Sequence, residues 1–548
     1  MRISSTIYKI GLLSCLCFAS CVKETLPSSG LVTGDQVGSN PAAIDALAKG
    51  IPASMVKAGL ISSYTAYHSN FGLPSIHLAM EGMTGDLVVA GEVGYYWHSH
   101  YGTAKNLGKT SAVIDIVWRS YYSWIKSSND LIKLVKDKSE NNKTYRKYMA
   151  QAFTYRAKCY LDLVRLYEFK ENKYTQGVNL LGLTVPYVDE NTTEEDAKNN
   201  PRVPVAQMYE LILADLNKAE EILAELNMPA SPYEPSLAAI YGMKARLYME
   251  KATADDSKED YSQSATYARK AITESGATVM TQEQWQSPAT GFNSATASGW
   301  IWALPQSSSE IKSLYNYTAH MTIETSWSYA KMTYPSINRI MYAKISPNDF
   351  RKYSWIDPDR GIYDYKLVTN ELNGKDYLTD VLKDYSSIKF RPAGGHFDEY
   401  TLGGIVDIPL MRMEEMLFIE MEATAHKSLA SARGLLNDFM SNRYINGAVY
   451  DCTRKTATLE DFIDEMIAQK RTEFWGEGII LFDLKRLDLS PSPRGYVGTN
   501  APNDYRLNTE GRAPFWNFVI SLTEESNNTA IEGYNNPDPS NKVTIWTP

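Results

Sequence analysis

Long runs of helical periodicity constrain this fold more than any other feature of the sequence. Between residues 113 and 272, apolar side chains recur every three or four positions, the spacing of one face of an α-helix. Five such stripes follow one another, over residues 113–135, 148–166, 208–226, 237–248 and 265–272. Each amphipathic helix must bury its apolar face against a neighbour. The stripes predict a mostly α fold in which helix pairs stack as in tetratricopeptide repeats.

Two more helices are predicted between residues 407 and 486. The first covers residues 407–423, where Pro409 fits the first turn because its missing N–H needs no partner there. The second follows Thr458, which forms a capping box with Asp461 three residues later. Apolar side chains recur at helical spacing in the first passage, at Leu410, Met413, Leu417 and Met421, and in the second, at Leu459, Phe462, Ile463, Met466 and Ile467.

These passages resemble the C-terminal signature of the SusD/RagB family, nutrient-binding outer-membrane lipoproteins of Bacteroidetes. The matching residues are Asp-Ile-Pro-Leu-Met-Arg at 407–412 with Glu415, Glu422 and Ala423, then Lys-Arg-Thr-Glu-Phe-Trp-Gly-Glu-Gly at 470–478 and Phe-Asp-Leu-Lys-Arg at 482–486. Further similar pieces lie at 151–167, 185–187, 202–216 and 235–248. The resemblance implies a SusD-like, tetratricopeptide-like helical-pair scaffold with long irregular loops, in which the motif residues identify the family and need not touch ligand.

Residues 1–20 are predicted to be a lipoprotein signal peptide. Arg2 and Lys9 provide a basic start, and residues 10–18 are apolar but too short to span a bilayer. Phe-Ala-Ser-Cys at 18–21 resembles a bacterial lipobox, so we expect lipidation at Cys21, which would add enough acyl chains for stable anchoring. An ordinary signal peptide cut nearby is the alternative. Residues 21–40 are predicted to be a tether because they are rich in Gly, Ser and Thr.

The remainder is predicted to be one compact unit with two parts. Residues 41–277 form the N-terminal helical part, and residues 278–548 form the SusD/RagB-like part. Within the latter, residues 278–405 are expected to be loop-rich and residues 407–486 helical. The alternation Trp300-Ile-Trp302 predicts a short strand.

Charge and cysteine usage exclude several classes of protein. A formal net charge of −9 disfavours nucleic acid as a partner, because a basic surface is needed to bind phosphates. Of five cysteines, two leave with the signal peptide and one is lipidated. Cys159 and Cys452 remain, too few for a disulfide scaffold. Cys159 lies on an apolar stripe and is expected to be buried.

No catalytic constellation is predicted, and neither a metal nor another cofactor is expected. The sequence carries no phosphate loop and no nucleophile elbow. Glu414 and Glu415 are adjacent, so on a helix they point to different faces and cannot flank one glycosidic bond. His98 and His100 could share one side of a strand, but no Cys or paired carboxylate lies at ligand spacing nearby.

The strongest candidate binding segment is the loop at residues 91–101. It carries Tyr95, Tyr96, Trp97, His98 and Tyr101, and loops carry function more often than scaffold helices do. Aromatic faces can stack on the C–H faces of sugar rings, while His can bond hydroxyls. The alternative is that these rings cover a helix end. A second candidate set lies in the irregular region, at Tyr315, Tyr317, Trp327 and Tyr329.

The resemblance implies a lipid-anchored protein on the extracellular face of the outer membrane. It would bind an oligosaccharide and pass it to a SusC-like TonB-dependent β-barrel transporter, closing over that barrel like a lid, without covalent chemistry. Two alternatives stay open. One is a helical-scaffold glycoside hydrolase, which would need two carboxyls converging in one cleft. The other is a peptide-binding tetratricopeptide-like module.

Overall fold

The computed structural model describes residues 40–65, 67–89, 99–361, 364–367, 382–491 and 495–547. The chain divides into residues 1–46, described from residue 40 onward, and a compact unit of residues 47–548. Its α-helices are α1 (Pro41–Met55), α2 (Leu73–Gly82), α3 (Ser99–Gly102), α4 (Ala112–Val135), α5 (Lys143–Tyr167), α6 (Glu194–Ala197), α7 (Val205–Leu226), α8 (Leu237–Asp255), α9 (Lys258–Ser275), α10 (Gln282–Gln286), α11 (Tyr317–Met321), α12 (Ala330–Thr333), α13 (Arg339–Lys344), α14 (Tyr400–Gly403), α15 (Met413–Ala425), α16 (Leu429–Ser441), α17 (Leu459–Glu473), α18 (Ile480–Arg486) and α19 (Leu522–Asn527).

The predicted mostly α fold is confirmed. All five apolar stripes lie in helices, α4, α5, α7, α8 and α9, and consecutive members of this series pack against each other. The chain continues the stack by placing α15 against α9 and α16 against α15. Side-chain caps define several helix starts: Asn142 bonds the first turn of α5, Ser236 that of α8 and Ser257 that of α9. Cys159 is fully buried in α5.

The described strands are short and form antiparallel pairs. They are β1 (Leu87–Val89), β2 (Leu183–Pro186), β3 (Arg202–Pro204), β4 (Trp300–Leu304), β5 (Pro335–Ile337) and β6 (Ile408–Arg412). β1 pairs with β5, β2 with β3, and β4 with β6. The strand predicted at Trp300-Ile-Trp302 is therefore confirmed as part of β4.

The helix predicted over residues 407–423 starts later than expected, because α15 begins only at Met413. Residues Ile408–Arg412 instead form β6, with Pro409 opposite Ala303 of β4. A five-residue passage has too few positions for its period to separate a buried strand from a helix. Pro409 fits both settings, since its missing N–H is tolerated in a first helical turn and on an edge strand.

The second predicted helix is confirmed as α17, with its capping box. The Thr458 hydroxyl accepts from the Asp461 N–H at 3.1 Å, and the Asp461 carboxylate accepts from the Thr458 N–H at 2.9 Å. After the helix ends, Gly478 has a φ of 73°, and a Cβ there would lie 2.5 Å from the His77 Cα. Only glycine fits both the backbone angle and this close approach.

The motif residues build a buried ion-pair network around Glu473. Arg443 Nε lies 2.9 Å and Arg351 Nη1 3.1 Å from one Glu473 oxygen, and Arg412 Nη1 lies 3.2 Å from the other. The network balances four cations against four carboxylates: Arg351, Lys389, Arg412 and Arg443 against Asp349, Glu414, Glu473 and Glu477. It joins β6, α15 and α17, and thus fixes how the motif passages pack.

Within the described ranges, no helix combines the length and apolar character needed to cross a bilayer.

Candidate functional site

The predicted aromatic loop lies largely outside the described residues. Tyr95, Tyr96, Trp97 and His98 fall between β1, which ends at Val89, and α3, which begins at Ser99. Their role as a sugar-stacking platform therefore stays a prediction.

Tyr101 is a core residue, which corrects its assignment to the ligand platform. It lies in α3 and is 1% exposed. Its hydroxyl donates to the Val113 carbonyl at 2.9 Å, and its ring stacks on Phe518 with 6.1 Å between centroids. Because both faces and the hydroxyl are enclosed, this ring has no free surface for a sugar.

The second predicted set separates into buried and half-buried members. Tyr317 is the first residue of α11 and is 8% exposed, and its hydroxyl donates to the Gly476 carbonyl. It supports the turn after α17 and offers little surface, so its assignment as a ligand residue is also corrected. Tyr315 and Trp327 are half-buried and keep part of their rings accessible.

Tyr315 belongs to a group of stacked rings that we call the histidine–tyrosine cluster: His68, Tyr315, His320 and Tyr329. The His68 ring stacks on Tyr329 with 4.4 Å between centroids and an interplanar angle of 28°. The same ring lies 4.7 Å from Tyr315 at 36°. His68 Nδ1 is 3.1 Å from His320 Nε2, which is hydrogen-bonding distance. His68 and Tyr315 are half-buried, whereas His320 and Tyr329 are buried behind them.

Hydrogen bonds in the surrounding segments hold the cluster in place. Asn316 caps α11 by accepting from the Ala319 N–H at 2.9 Å, which places His320 in the last turn. The Ser328 hydroxyl donates to the Ala319 carbonyl at 2.8 Å and fixes the segment that carries Tyr329. On the other side, the Asn70 amide donates to the Tyr64 carbonyl at 3.0 Å and closes the turn that carries His68.

The His68 imidazole, which contacts the other three rings of the cluster, is uncharged near pH 7. Burial lowers the pKa of His68 to about 4, so its imidazole is uncharged under neutral conditions. A neutral imidazole flanked by tyrosine rings offers flat apolar faces together with hydrogen-bonding edges. That combination can pack on the C–H face of a pyranose ring and bond its hydroxyls.

A second pair of rings lies on the segments that follow. Trp327 contacts Tyr400 edge to face, with 6.5 Å between centroids. The Ser326 N–H donates to the Phe397 carbonyl at 2.8 Å, which ties the two segments together. Trp327 precedes Tyr329 by two residues, so this pair lies close in the chain to the histidine–tyrosine cluster.

The second set predicted from the sequence includes Tyr315, Trp327 and Tyr329 but not His68 or His320, which the structure places beside Tyr315 and Tyr329. These histidines are 252 residues apart, and no local pattern marks either of them. Their pairing depends on the fold, which brings the segment before α2 against α11.

A separate cleft of about 610 Å³ lies beside α13 and α17 and contains several carboxylates. Asp349 is bonded to Arg351 at 2.7 Å, and Glu465 accepts from the Tyr450 hydroxyl at 2.6 Å. Asp461 caps α17, and its bonds to Thr458 lower its pKa. These three carboxylates have structural partners, and Asp464 also lines the cleft. Among the described residues, no group of three or more His, Cys, Asp or Glu side chains could hold a metal ion.

Comparison with protein families gives a match over residues 75–249. The matching model is SusD-like_3, described as "Starch-binding associating with outer membrane". No curated protein sequence matches the chain.

Solved structures with the same fold cover nearly the whole chain. A SusD-like carbohydrate binding protein from Bacteroides vulgatus has a TM-score of 0.66 at 18% identity, over 89% of this chain and 96% of its own. A SusD superfamily protein from Bacteroides thetaiotaomicron has a TM-score of 0.66 at 17% identity, and the match covers 92% of this chain and 100% of that protein. Surface glycan-binding protein A from Bacteroides uniformis has a TM-score of 0.62 at 18% identity, and the match covers 91% of this chain and 99% of that protein. Together with the family match, this shared fold confirms the predicted resemblance to the SusD/RagB family.

Proposed function

We propose that this chain, which carries a SusD-like family region on a SusD-like fold, is a glycan-binding protein associated with the outer membrane. The family description names both starch binding and outer-membrane association. Two of the structural neighbours are described as a carbohydrate binding and a glycan-binding protein. The observation that carries the proposal for this chain is the histidine–tyrosine cluster, a partly exposed group of stacked rings on a helical scaffold.

The cluster and its extension form the proposed binding surface. His68 and Tyr315 reach the surface, and Trp327 with Tyr400 adds rings to one side. Sugar rings bind such surfaces through apolar packing and hydroxyl bonds, which need no charged side chain. The loop at residues 91–98, with Tyr95, Tyr96 and Trp97, lies outside the described residues and stays a separate proposed binding segment.

Delivery to a transporter is the second part of the proposal. A SusC-like TonB-dependent β-barrel is the partner implied by the family resemblance, and Cys21 would hold the protein at the extracellular face through its lipid. Capture, closure and release would then move the glycan without covalent chemistry. Co-purification of the native protein from outer membranes tests this part, since a β-barrel partner should accompany it.

The proposed role is binding without catalysis. A glycoside hydrolase needs two carboxyls about 5–10 Å apart on either side of one bond. In the cleft beside α17, Asp349 is paired with Arg351 and Asp461 caps the helix, so neither is available for that task. We expect no cleavage of any bound oligosaccharide. Product analysis after long incubation checks this, and turnover abolished by one Asp or Glu substitution would refute it.

Glycan-array screening of the purified protein tests the binding proposal. Binding to one or a few oligosaccharide classes is expected. A matched peptide array provides the control, because capture of peptides with no glycan signal would favour a tetratricopeptide-like interaction module instead.

A further inference from the structure

The two histidines of the cluster are close enough to constrain each other's protonation. His68 Nδ1 and His320 Nε2 lie 3.1 Å apart, with His320 fully buried in α11. A hydrogen bond between two imidazole nitrogens needs one N–H donor and one lone pair. When His68 takes up a proton, its Nδ1–H can still donate to the lone pair of His320, but the stacked rings must then hold a charge that burial disfavours.

His68 also determines how the tyrosines are arranged. Its ring stacks on Tyr315 at 4.7 Å and on Tyr329 at 4.4 Å, so it bridges a half-buried ring and a buried one. Phe71 packs on His320 at 5.1 Å and encloses that imidazole from the other side. Movement of His68 would therefore remove the support of Tyr315, the most accessible tyrosine of the cluster.

We propose that His68 is a positioning residue, whose neutral imidazole, bonded to His320, fixes the ring planes of Tyr315 and Tyr329 and releases them when His68 takes up a proton. The inference rests on the proposed function in one respect: the ring planes matter because the cluster receives a saccharide. It adds a condition to that function, since the surface is assembled only while the pair stays neutral.

The surroundings of His68 favour the neutral form. Burial is the cause that lowers its pKa to about 4. The titratable groups in ring contact with it are Tyr315 from the segment before α11, His320 from α11 and Tyr329 from the start of α12. The charged side chains between residues 310 and 333 are Glu310, Lys312, Glu324 and Lys331, and Glu324 is paired with Arg391.

Binding should follow the protonation of His68. A ligand that binds only the neutral form loses affinity by a factor of one plus the ratio of protonated to neutral imidazole. With a midpoint near 4, the affinity at pH 3.5 should be about fourfold below that at pH 7. Between pH 6 and 8 this step predicts no change.

The first experiment needs no variant and no ligand. Histidine and tyrosine signals of the ¹³C-labelled protein are followed by NMR from pH 7 to 3.5, with circular dichroism to confirm that the fold persists. The His68 signal should titrate near pH 4, and the Tyr315 and Tyr329 ring signals should shift with the same midpoint. A His68 midpoint near 6.5, or tyrosine signals that stay unchanged while His68 titrates, would overturn the proposal.

The second experiment uses maltoheptaose as the probe, with His68→Phe as the matched variant that keeps a flat ring and cannot be protonated. The fourfold loss between pH 7 and pH 3.5 should occur in the wild-type protein and be absent in His68→Phe, which should already bind more weakly at pH 7 because Phe cannot bond His320. An equal loss in both proteins would contradict the positioning role. If maltoheptaose does not bind at pH 7 but the His68, Tyr315 and Tyr329 signals still titrate together, the positioning role of His68 is supported. That result would count against starch as the glycan.

Discussion

Replacing Glu473 with Gln should destabilise the protein strongly, because this carboxylate is shared by three buried guanidinium groups. Burial alone would raise the pKa of Glu473, but Arg443, Arg412 and Arg351 outweigh it and hold the pKa well below its usual value. The substitution keeps the shape of the side chain and removes its charge. The network then holds four cations against three carboxylates in a region without access to water.

The magnitude follows from the cost of an uncompensated buried charge. Breaking a buried ion pair by removing one partner costs about 3–5 kcal/mol. Unfolding entropy of about 2.1 cal/mol/K per residue amounts to roughly 1 kcal/mol/K for a unit of about 500 residues, so Tm should fall by about 3–5 °C. Differential scanning calorimetry of the wild type and Glu473→Gln measures this shift.

The matched control is Glu510→Gln, which removes the same charge from the exposed pair with Lys173. Lys173 is 65% and Glu510 79% exposed, and solvent screens such pairs, so the shift in Tm should be small. Equal shifts of Tm in the two variants would refute the reasoning, since burial would then have no bearing on the cost.

Three further predictions concern the anchor, the loop and the pH dependence of stability. Cys21→Ala should release the protein from membranes, and fractionation in a strain lacking the barrel would show it; full retention there would argue against lipidation. Trp97→Ala should weaken glycan binding by roughly ten- to a hundredfold, because about 1–3 kcal/mol of apolar contact is lost, and Tm should change little. A large fall in Tm measured on the same sample would identify Trp97 as a core residue. Burial raises the pKa of Glu81 to about 8, so the folded state holds a proton that the unfolded chain loses near 4.5. Stability should therefore decline as pH rises from about 4.5 to 8, more in the wild type than in Glu81→Gln, and parallel Tm profiles of the two proteins would disprove this.

The helical scaffold could be predicted because its stripes are long. The 24 residues of α4 and the 25 of α5 contain several turns, and one buried face is then unambiguous. The passage at Ile408–Arg412 was predicted wrongly because a passage of five residues fits a strand and a helix equally well. Its pairing with β4 is set by contacts more than 100 residues away in the chain.

The proposed binding surface was harder to predict from the sequence than the scaffold. Aromatic density drew attention to Tyr101 and Tyr317, yet both are buried and bond backbone carbonyls through their hydroxyls. Density alone does not distinguish a ring that fills the core from one that faces solvent. His68 and His320 carry no local signal, because their significance arises only when the fold places them 3.1 Å apart.

Calorimetric titration of the strongest array glycan tests the central claim most directly, with the wild type, Tyr315→Ala and Tyr534→Ala compared at pH 7. Tyr534 is a 48% exposed tyrosine near the loop of Asn179 and serves as the matched control. We predict that Tyr315→Ala weakens binding by roughly ten- to a hundredfold while Tyr534→Ala leaves it unchanged. Equal affinities in all three proteins would contradict the account, because the histidine–tyrosine cluster would then take no part in holding the glycan.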